Sequence, residues 1–530
     1  MAEPATLLSL PNELLIIIFE NPKFPVDHLA TLSLLCRRLH FLALPIYFAR
    51  SGMPSPTKSA HIHLSKDGHD MLAALTMALF ITSMEDITCI FPHPSCTSVL
   101  PLIPHLNRFR RFVAKFPSVG RVTLQLDARN SMCNSTGDDA ALRAWSSCFG
   151  GLLNCLVERR CSELTVRYGG YLTRSYELTV PPGLAKFRVR NVLRAMRALL
   201  FRSQSGKELD QTFCRSAEQG KQRGALPAIS SKAARSSTLR SLRIQSAVLV
   251  MPPSLNWTLS ALRSCPITSL TLFQISLELE IWAAALTLIA SAAPNLTDLS
   301  LSELDAIAAV DILKFCSRLP RLTNLEIGDN LEAAGTPTQC RAGKGSWPEF
   351  RHLVSLRAPA DFVRHFMLPR TSLRKLTSLC ILFYGKTHMS DISVKLLGVG
   401  QLMAERRLSP NLTLSLSLYS ETMVSDFDEV EELSDYVKQY IVCVGSLTLE
   451  VAPFSPVDLA RWIRLFPSVQ QVCLNFRTKP PDVRSYTKRL LQVVNKDRGY
   501  LQTIVVDGKT HVLDSESTVQ IIRKTRYYLS

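Results

Sequence analysis

The feature that most constrains this chain is a short pattern, L-x-x-L-x-L with Val or Ile standing for Leu, that recurs along most of its length. It occurs at Val119/Val122/Leu124, Leu239/Leu242/Ile244, Ile267/Leu270/Leu272, Leu296/Leu299/Leu301, Leu322/Leu325/Ile327 and Leu376/Leu379/Ile381, then at Val444/Leu447/Leu449, Val469/Val472/Leu474 and Leu501/Ile504/Val506. Weaker copies lie at Leu164/Val166, Leu353/Leu356 and Leu412/Leu414/Leu416. The clearest neighbours are 29 residues apart (267 to 296) and 26 apart (296 to 322), and from Leu239 onward the spacing elsewhere runs from 23 (353 to 376) to 36 (376 to 412). Alternate apolar residues place one face of a strand in a core.

The segments between these strands have helical spacing where they can be judged. Ala309, Ile312, Leu313 and Cys316 sit at i, i+3, i+4 and i+7, and so do Leu459, Trp462, Ile463 and Phe466 after a Ser455-Pro456 start. One strand and one helix every 23–36 residues is the leucine-rich-repeat arrangement, in which no single unit buries its Leu face and stacking creates the core. The best copy, Leu319 to Asn330, ends L-x-x-L-x-I-x-x-N, with Asn330 suited to bonding the turn backbone. An ordinary α/β domain with Leu-rich strands is the competing reading. The irregular periods favour it, and the number of copies opposes it.

The first fifty residues follow a different pattern. Residues 10–48 contain three short helical stretches. Pro11 suits a first helical position, where its missing N–H has no partner to lose, and Glu13 lies in the first turn, where the helix dipole favours an acid. Leu14/Ile18 and Leu15/Phe19 are pairs four apart. Pro22 and Pro25 break the chain, and Asp27 is a good N-cap. Leu29, Leu32, Ser33 and Cys36 form one face of a second helix, with Arg37 and Arg38 in its last turn. A third helix, about Leu39 to Phe48, contains Pro45. So small a unit buries little apolar surface by itself, so its surplus of large side chains implies a partner. The plainer alternative is a cap on the domain behind it.

The run L-P-x-E-L-L-x-x-I-F followed by D-x-L-x-x-L-S-x-x-C-R-R resembles an F-box, through Leu10, Pro11, Glu13, Leu14, Leu15, Ile18, Phe19, Asp27, Leu29, Leu32, Ser33, Cys36, Arg37 and Arg38. Leu35 stands where that family usually has Val, Leu39 where it often has Trp, and Glu20-Asn21-Pro22 replaces a short polar stretch. Together with the repeats, the chain resembles the F-box proteins with leucine-rich repeats. The resemblance implies an α/β protein with a three-helix F-box at 1–50, a helical connector at 51–115 and an irregular leucine-rich-repeat solenoid at 116–530, one strand plus one helix per repeat. It implies a non-catalytic substrate receptor of an SCF (Skp–cullin–F-box) ubiquitin ligase. Leu10, Pro11, Leu14, Leu15, Ile18, Phe19, Leu29, Leu32, Leu35 and Cys36 would meet the Skp adaptor, a cullin would complete the scaffold, and a target protein would lie on the repeats. Strand positions alternating with the inward Leu residues are candidate target contacts: Arg243, Gln245, Phe273, Glu326, Arg357 and Asn475.

Composition bears on partners and compartment. Apolar residues at 46% and charged residues at 20% describe a globular chain, and 61 basic against 44 acidic side chains give a net charge of +17, a bias toward acidic or phosphorylated partners. Between 181 and 245 lie fourteen Lys/Arg and three acids, Glu208, Asp210 and Glu218, and Ser203–Thr238 shows no apolar period, as expected of a disordered loop within the array. Phe187–Phe201, with Arg188, Arg190, Arg194 and Arg197 interleaved, fits an amphipathic helix. Phe213 is the sole aromatic in Ser203–Thr238, so a single-strand stacking platform is not supported there, and nucleic acid is not among the expected partners. The fourteen cysteines show no C-x-x-C pair and read as reduced and structural. The start lacks a basic n-region, and the longest apolar stretch, Ile281–Ala293, is too short for a bilayer. Cytoplasm or nucleus is the expected compartment, with no membrane partner.

Nucleotide-binding, zincin and serine-hydrolase motifs are missing. His61-x-His63 with His69 and Asp70 is a weak metal-like cluster better read as surface loop, and the acids between Asp426 and Asp435 lack a calcium loop's Gly and spacing. No cofactor and no metal are expected. A scaffold using the same helices outside a ligase, or a basic protein that engages nucleic acid, is the alternative.

Overall fold

A computed structural model describes residues 7–64, 71–92, 99–126, 139–170, 176–178, 213–215, 228–252, 254–305, 307–328, 350–367, 375–384, 413–420, 444–451, 455–464, 468–476, 482–496, 501–506, 508–513 and 519–522, with isolated residues 373, 395, 398, 399, 401 and 402. The chain divides into two compact units, Met1–Asn295 and Leu296–Ser530.

The first unit opens with three helices, α1 (Asn12–Glu20), α2 (Val26–Leu32) and α3 (Arg37–Arg50). The second helix stops earlier than the apolar spacing suggests. The Ser33 hydroxyl donates to the Ala30 carbonyl at 2.6 Å, and the next two amides turn back three residues, to Thr31 and Leu32. Such side-chain bonding competes with the helix ladder. Cys36 is extended, and Arg37 and Arg38 therefore begin α3 instead of ending α2.

Strands and helices then alternate: β1 (Ser59–His63), α4 (Met71–Met77), β2 (Met84–Ile90), α5 (Leu102–Ala114), β3 (Val119–Gln125), α6 (Asp139–Glu158) and β4 (Glu163–Arg167). A two-stranded antiparallel pair, β5 (Tyr176–Leu178) and β6 (Phe213–Arg215), precedes α7 (Ser231–Ser236), β7 (Ser241–Gln245), α8 (Leu255–Ser264), β8 (Ser269–Ser276) and α9 (Leu279–Ala292). β1, β2, β3, β4, β7 and β8 pair in that order, all parallel. The register keeps the repeat residues in rows. Ile87, Val122, Leu164, Leu242 and Leu270 form one buried row, and Cys89, Leu124, Val166, Ile244 and Leu272 the next. Because every strand is parallel, each needs a crossover, and helices supply it.

The region expected as a helical connector thus already holds two strands in register with β3. Met84, Ile87 and Cys89 have the repeat spacing with Met, Ile and Cys in place of Leu. Between these strands α4 buries Leu72, Ala74 and Leu75. The Lys115 ammonium caps α4 by donating to the carbonyls of Thr76 (3.0 Å) and Ala78 (2.6 Å), and burial lowers its pKa.

The second unit comprises β9 (Asp298–Asp305), α10 (Ala309–Ser317), β10 (Asn324–Ile327), β11 (Ser355–Pro359), α11 (Ala360–Met367), β12 (Ser378–Tyr384), β13 (Thr413–Ser420), β14 (Val444–Val451), α12 (Pro456–Arg464), β15 (Gln471–Phe476), α13 (Val483–Lys496), β16 (Thr503–Val506), β17 (Lys509–Leu513) and β18 (Val519–Ile522). β9 to β16 pair parallel in sequence order, and β17 and β18 add antiparallel strands at the end. All twelve copies of the pattern named from the sequence coincide with strands. Each unit is a mostly parallel sheet alternating with helices, an arrangement consistent with a repeat solenoid. Asn330, the Phe187–Phe201 stretch, Asp426–Asp435 and most of 203–238 lie outside the described residues, although α7, at the end of that last range, is a helix.

Candidate functional site

The core of the N-terminal bundle is closed by Leu15, Phe19, Leu29, Leu39 and Ala43, with Leu10, Phe24, Leu32, Cys36, Leu42, Ile46 and Tyr47 packed around them. Two arginines tie the ends of α1 to those of α3. Arg38 donates to the Leu10 carbonyl (2.6 Å) and the Asn12 amide oxygen (2.8 Å). Arg50 donates to the carbonyls of Phe19 and Pro22, both at 3.2 Å. His40, buried, joins the bundle to the segment that leaves α4. Its Nε2 accepts from the Leu79 amide at 3.2 Å, so Nδ1 carries the proton and donates to the Ser33 carbonyl at 3.1 Å.

With the core closed, large apolar side chains remain outside it. Leu14 is 46%, Ile17 65% and Ile18 37% exposed along one side of α1, and Leu34 (60%) and Leu35 (66%) stand on the turn before α3. Arg38, three residues beyond Leu35, holds that turn to the start of α1. Isolated exposed Leu residues are ordinary, but Leu14, Ile17 and Ile18 lie together on α1, and with Leu34, Leu35 and Phe41 they make six large apolar side chains exposed within forty residues.

The ten expected adaptor contacts separate by burial. Leu14, Ile18 and Leu35 are exposed, and Pro11 is exposed at the N-cap of α1. Leu10, Leu32 and Cys36 are half-buried at the rim of the core. Leu15, Phe19 and Leu29 are fully buried among the bundle's own side chains. The reason is helical geometry. Leu14/Ile18 and Leu15/Phe19 are adjacent rows, and a three-helix bundle buries only one. Ile17 and Leu34 were missed by sequence reasoning; Ile17 was recoverable as the residue three beyond Leu14.

The six candidate target contacts all lie on strands, at the positions alternating with buried ones. In the first unit, exposed Arg243 on β7 is paired at 2.9 Å with Glu163 on β4, while Gln245 and Phe273 are half-buried. On the same face Arg121 pairs with Asp86 at 3.2 Å. In the second unit Glu326 and Arg357 face each other across β10 and β11 and form a 3.4 Å ion pair. Asn475 is exposed on β15 and accepts from the Cys473 thiol at 3.9 Å. The strand faces therefore offer small polar groups and neutralised charge pairs instead of an apolar surface.

Among the described residues, reactive chemistry is sparse. Among the described residues no group of three or more His, Cys, Asp and Glu side chains could hold a metal. His61 and His63 lie exposed on β1, whereas His69 and Asp70 fall outside the described residues. Burial pushes the Cys161 thiol up to about 12 and raises that of Cys316, so neither is a ready nucleophile. Among the described residues no helix is long and apolar enough to cross a membrane.

No family model matches the chain, and no curated protein matches it. A solved structure that aligns with it is the Rad7 and Elc1 complex of yeast, at 10% identity over 90% of this chain and 91% of that chain, with a TM-score of 0.30. A likeness at that score carries no argument about partner or activity.

Proposed function

We propose that the chain is a non-catalytic substrate receptor of a ubiquitin ligase. Its N-terminal bundle docks onto a Skp adaptor, the adaptor joins a cullin scaffold, and the strand faces hold the protein to be modified. One observation carries the reading: Leu14, Ile17, Ile18, Leu34 and Leu35 are exposed on a bundle whose core is already closed. Fully burying a wholly exposed side chain of this kind is worth about 1.5–3 kcal/mol, and these half-exposed ones correspondingly less.

A receptor of this kind makes and breaks no bonds. It raises the local concentration of target lysines near the charged ubiquitin carrier, converting a bimolecular encounter into an effectively unimolecular one. The ion pairs Arg243–Glu163 and Glu326–Arg357 would be opened or extended by a charged target, which makes the strand faces selective more than adhesive.

The test is affinity capture with mass spectrometry on the full chain and on a version lacking residues 1–50. Recovery of a Skp adaptor and a cullin with the full chain alone supports the reading. Recovery of the adaptor without a cullin makes the protein a scaffold outside a ligase, and recovery of neither removes the proposal.

A further inference from the structure

We propose that the helical layer α5–α8 of the first unit binds the phosphate backbone of double-stranded nucleic acid, without reading its sequence. This goes beyond adaptor docking and uses a different surface.

The four helices pack in succession, α5 on α6, α6 on α7 and α7 on α8. Within them stand seven Lys/Arg against Asp139 and Glu158, and the turn that leaves α6 adds Arg159 and Arg160. Glu158 is itself engaged, by Lys232 at 3.2 Å and the Ser230 hydroxyl at 3.4 Å. Arg110 and Arg111 on α5, Arg143 on α6, Arg235 on α7 and Arg263 on α8 are all exposed. Arg110 lies across α6 at a glycine: a Cβ on Gly151 would come within 2.8 Å of its Nη1, so the absent side chain makes room for the guanidinium.

The strand face of the same unit is different. There Arg121 pairs with Asp86 and Arg243 with Glu163. With seven basic against two acidic side chains on its helices, this layer carries a net positive field that attracts a polyanion.

The distribution selects the polyanion. Neighbouring helix axes lie about 8–10 Å apart, so four span roughly 25–30 Å, close to the ~34 Å of one duplex turn. A phosphopeptide needs cations gathered at one point, whereas these are spread over four helices. Phe109, Phe112, Trp145, Phe149 and Trp257, the aromatic residues of these helices, are buried. No ring is offered for unpaired bases to stack on, which favours a duplex over a single strand. The sequence reading kept nucleic acid only as an alternative, because it weighed the basic insert and not these helices.

The test uses the intact chain and fluorescein-labelled 30-base-pair DNA and RNA duplexes, read by anisotropy from 50 to 300 mM NaCl, with single-stranded DNA and polyglutamate of equal charge as the other arms. The expected result is duplex binding whose log–log salt slope is about −4.5, for some five phosphate contacts. Changing Arg110, Arg111, Arg143, Arg235 and Arg263 to Glu should weaken binding at least about tenfold and flatten the slope. The same five changed to Gln serve if the Glu version fails to fold by circular dichroism. Arg121→Gln with Arg243→Gln, on the strand face, should leave binding unchanged. Absence of salt-dependent binding, helix-layer variants that bind like the parent, or a preference for single strands or polyglutamate would overturn the proposal.

Discussion

The Arg38 guanidinium donates to the Leu10 carbonyl at 2.6 Å across 28 positions of sequence, and through its Nε to Asn12 at 2.8 Å. One side chain at the start of α3 thus ties down Asn12, the first residue of α1, and Leu10, which precedes its N-cap. Arg38→Ala should lower unfolding free energy by only about 1 kcal/mol, because both bonds are solvent-exposed. It should nonetheless weaken adaptor capture, since the start of α1 is no longer held. Urea unfolding and a capture assay on the same preparation check both parts, and unchanged capture would show that the anchor does not shape the docking surface.

Adjacent residues of α1 should behave in opposite ways. Leu15→Ala removes a fully buried side chain and should cost about 2–5 kcal/mol of stability. Leu14→Asp changes a half-exposed one and should leave the melting temperature nearly unchanged while abolishing adaptor capture. A Leu14→Asp protein that melts early would mean that Leu14 is a core residue.

His40 should matter for holding the bundle to the first strand–helix unit. His40→Leu leaves the Leu79 amide and the Ser33 carbonyl without the imidazole, at a cost of about 1–3 kcal/mol. Hydrogen exchange at the Leu79 amide should accelerate, while exchange within α6 stays as it was. Equal acceleration everywhere would point to global destabilisation instead.

The thiols of Cys161 and Cys316 should resist alkylation in the native protein at pH 8 and react on unfolding. Folding raises the Cys161 pKa from 9.0 to about 12, so the unfolded chain ionises first as pH rises. The contribution of that thiol to stability is complete below about pH 9 and declines from there toward pH 12. Denaturant midpoints measured across that window should fall, and Cys161→Ala should shrink the fall.

Much of the fold was legible because a parallel strand with two inward apolar residues repeats itself in the sequence, as Leu270/Leu272 and Leu325/Ile327 do. β1 and β2 were read as connector because Ala60 and Ile62, and Ile87 and Cys89, carry the same burial without Leu. The end of α2 was misplaced because the Ser33 hydroxyl, and not the apolar period, decides it. The exposed apolar residues of the bundle were legible as a segment but not as a face. Sequence shows that Leu14 and Leu15 are both apolar, and only the packing of α3 decides which of the two is covered. The ion pairs of Arg243 and Arg357 were hidden because their partners, Glu163 and Glu326, lie on neighbouring strands many residues away.

Titration of a purified Skp adaptor into the purified full chain tests the central claim most directly. Saturable one-to-one binding is expected, lost in a Leu14→Asp/Ile18→Asp/Leu35→Asp variant that melts like the parent. No binding by the parent chain, or binding that the folded triple variant retains, would contradict it.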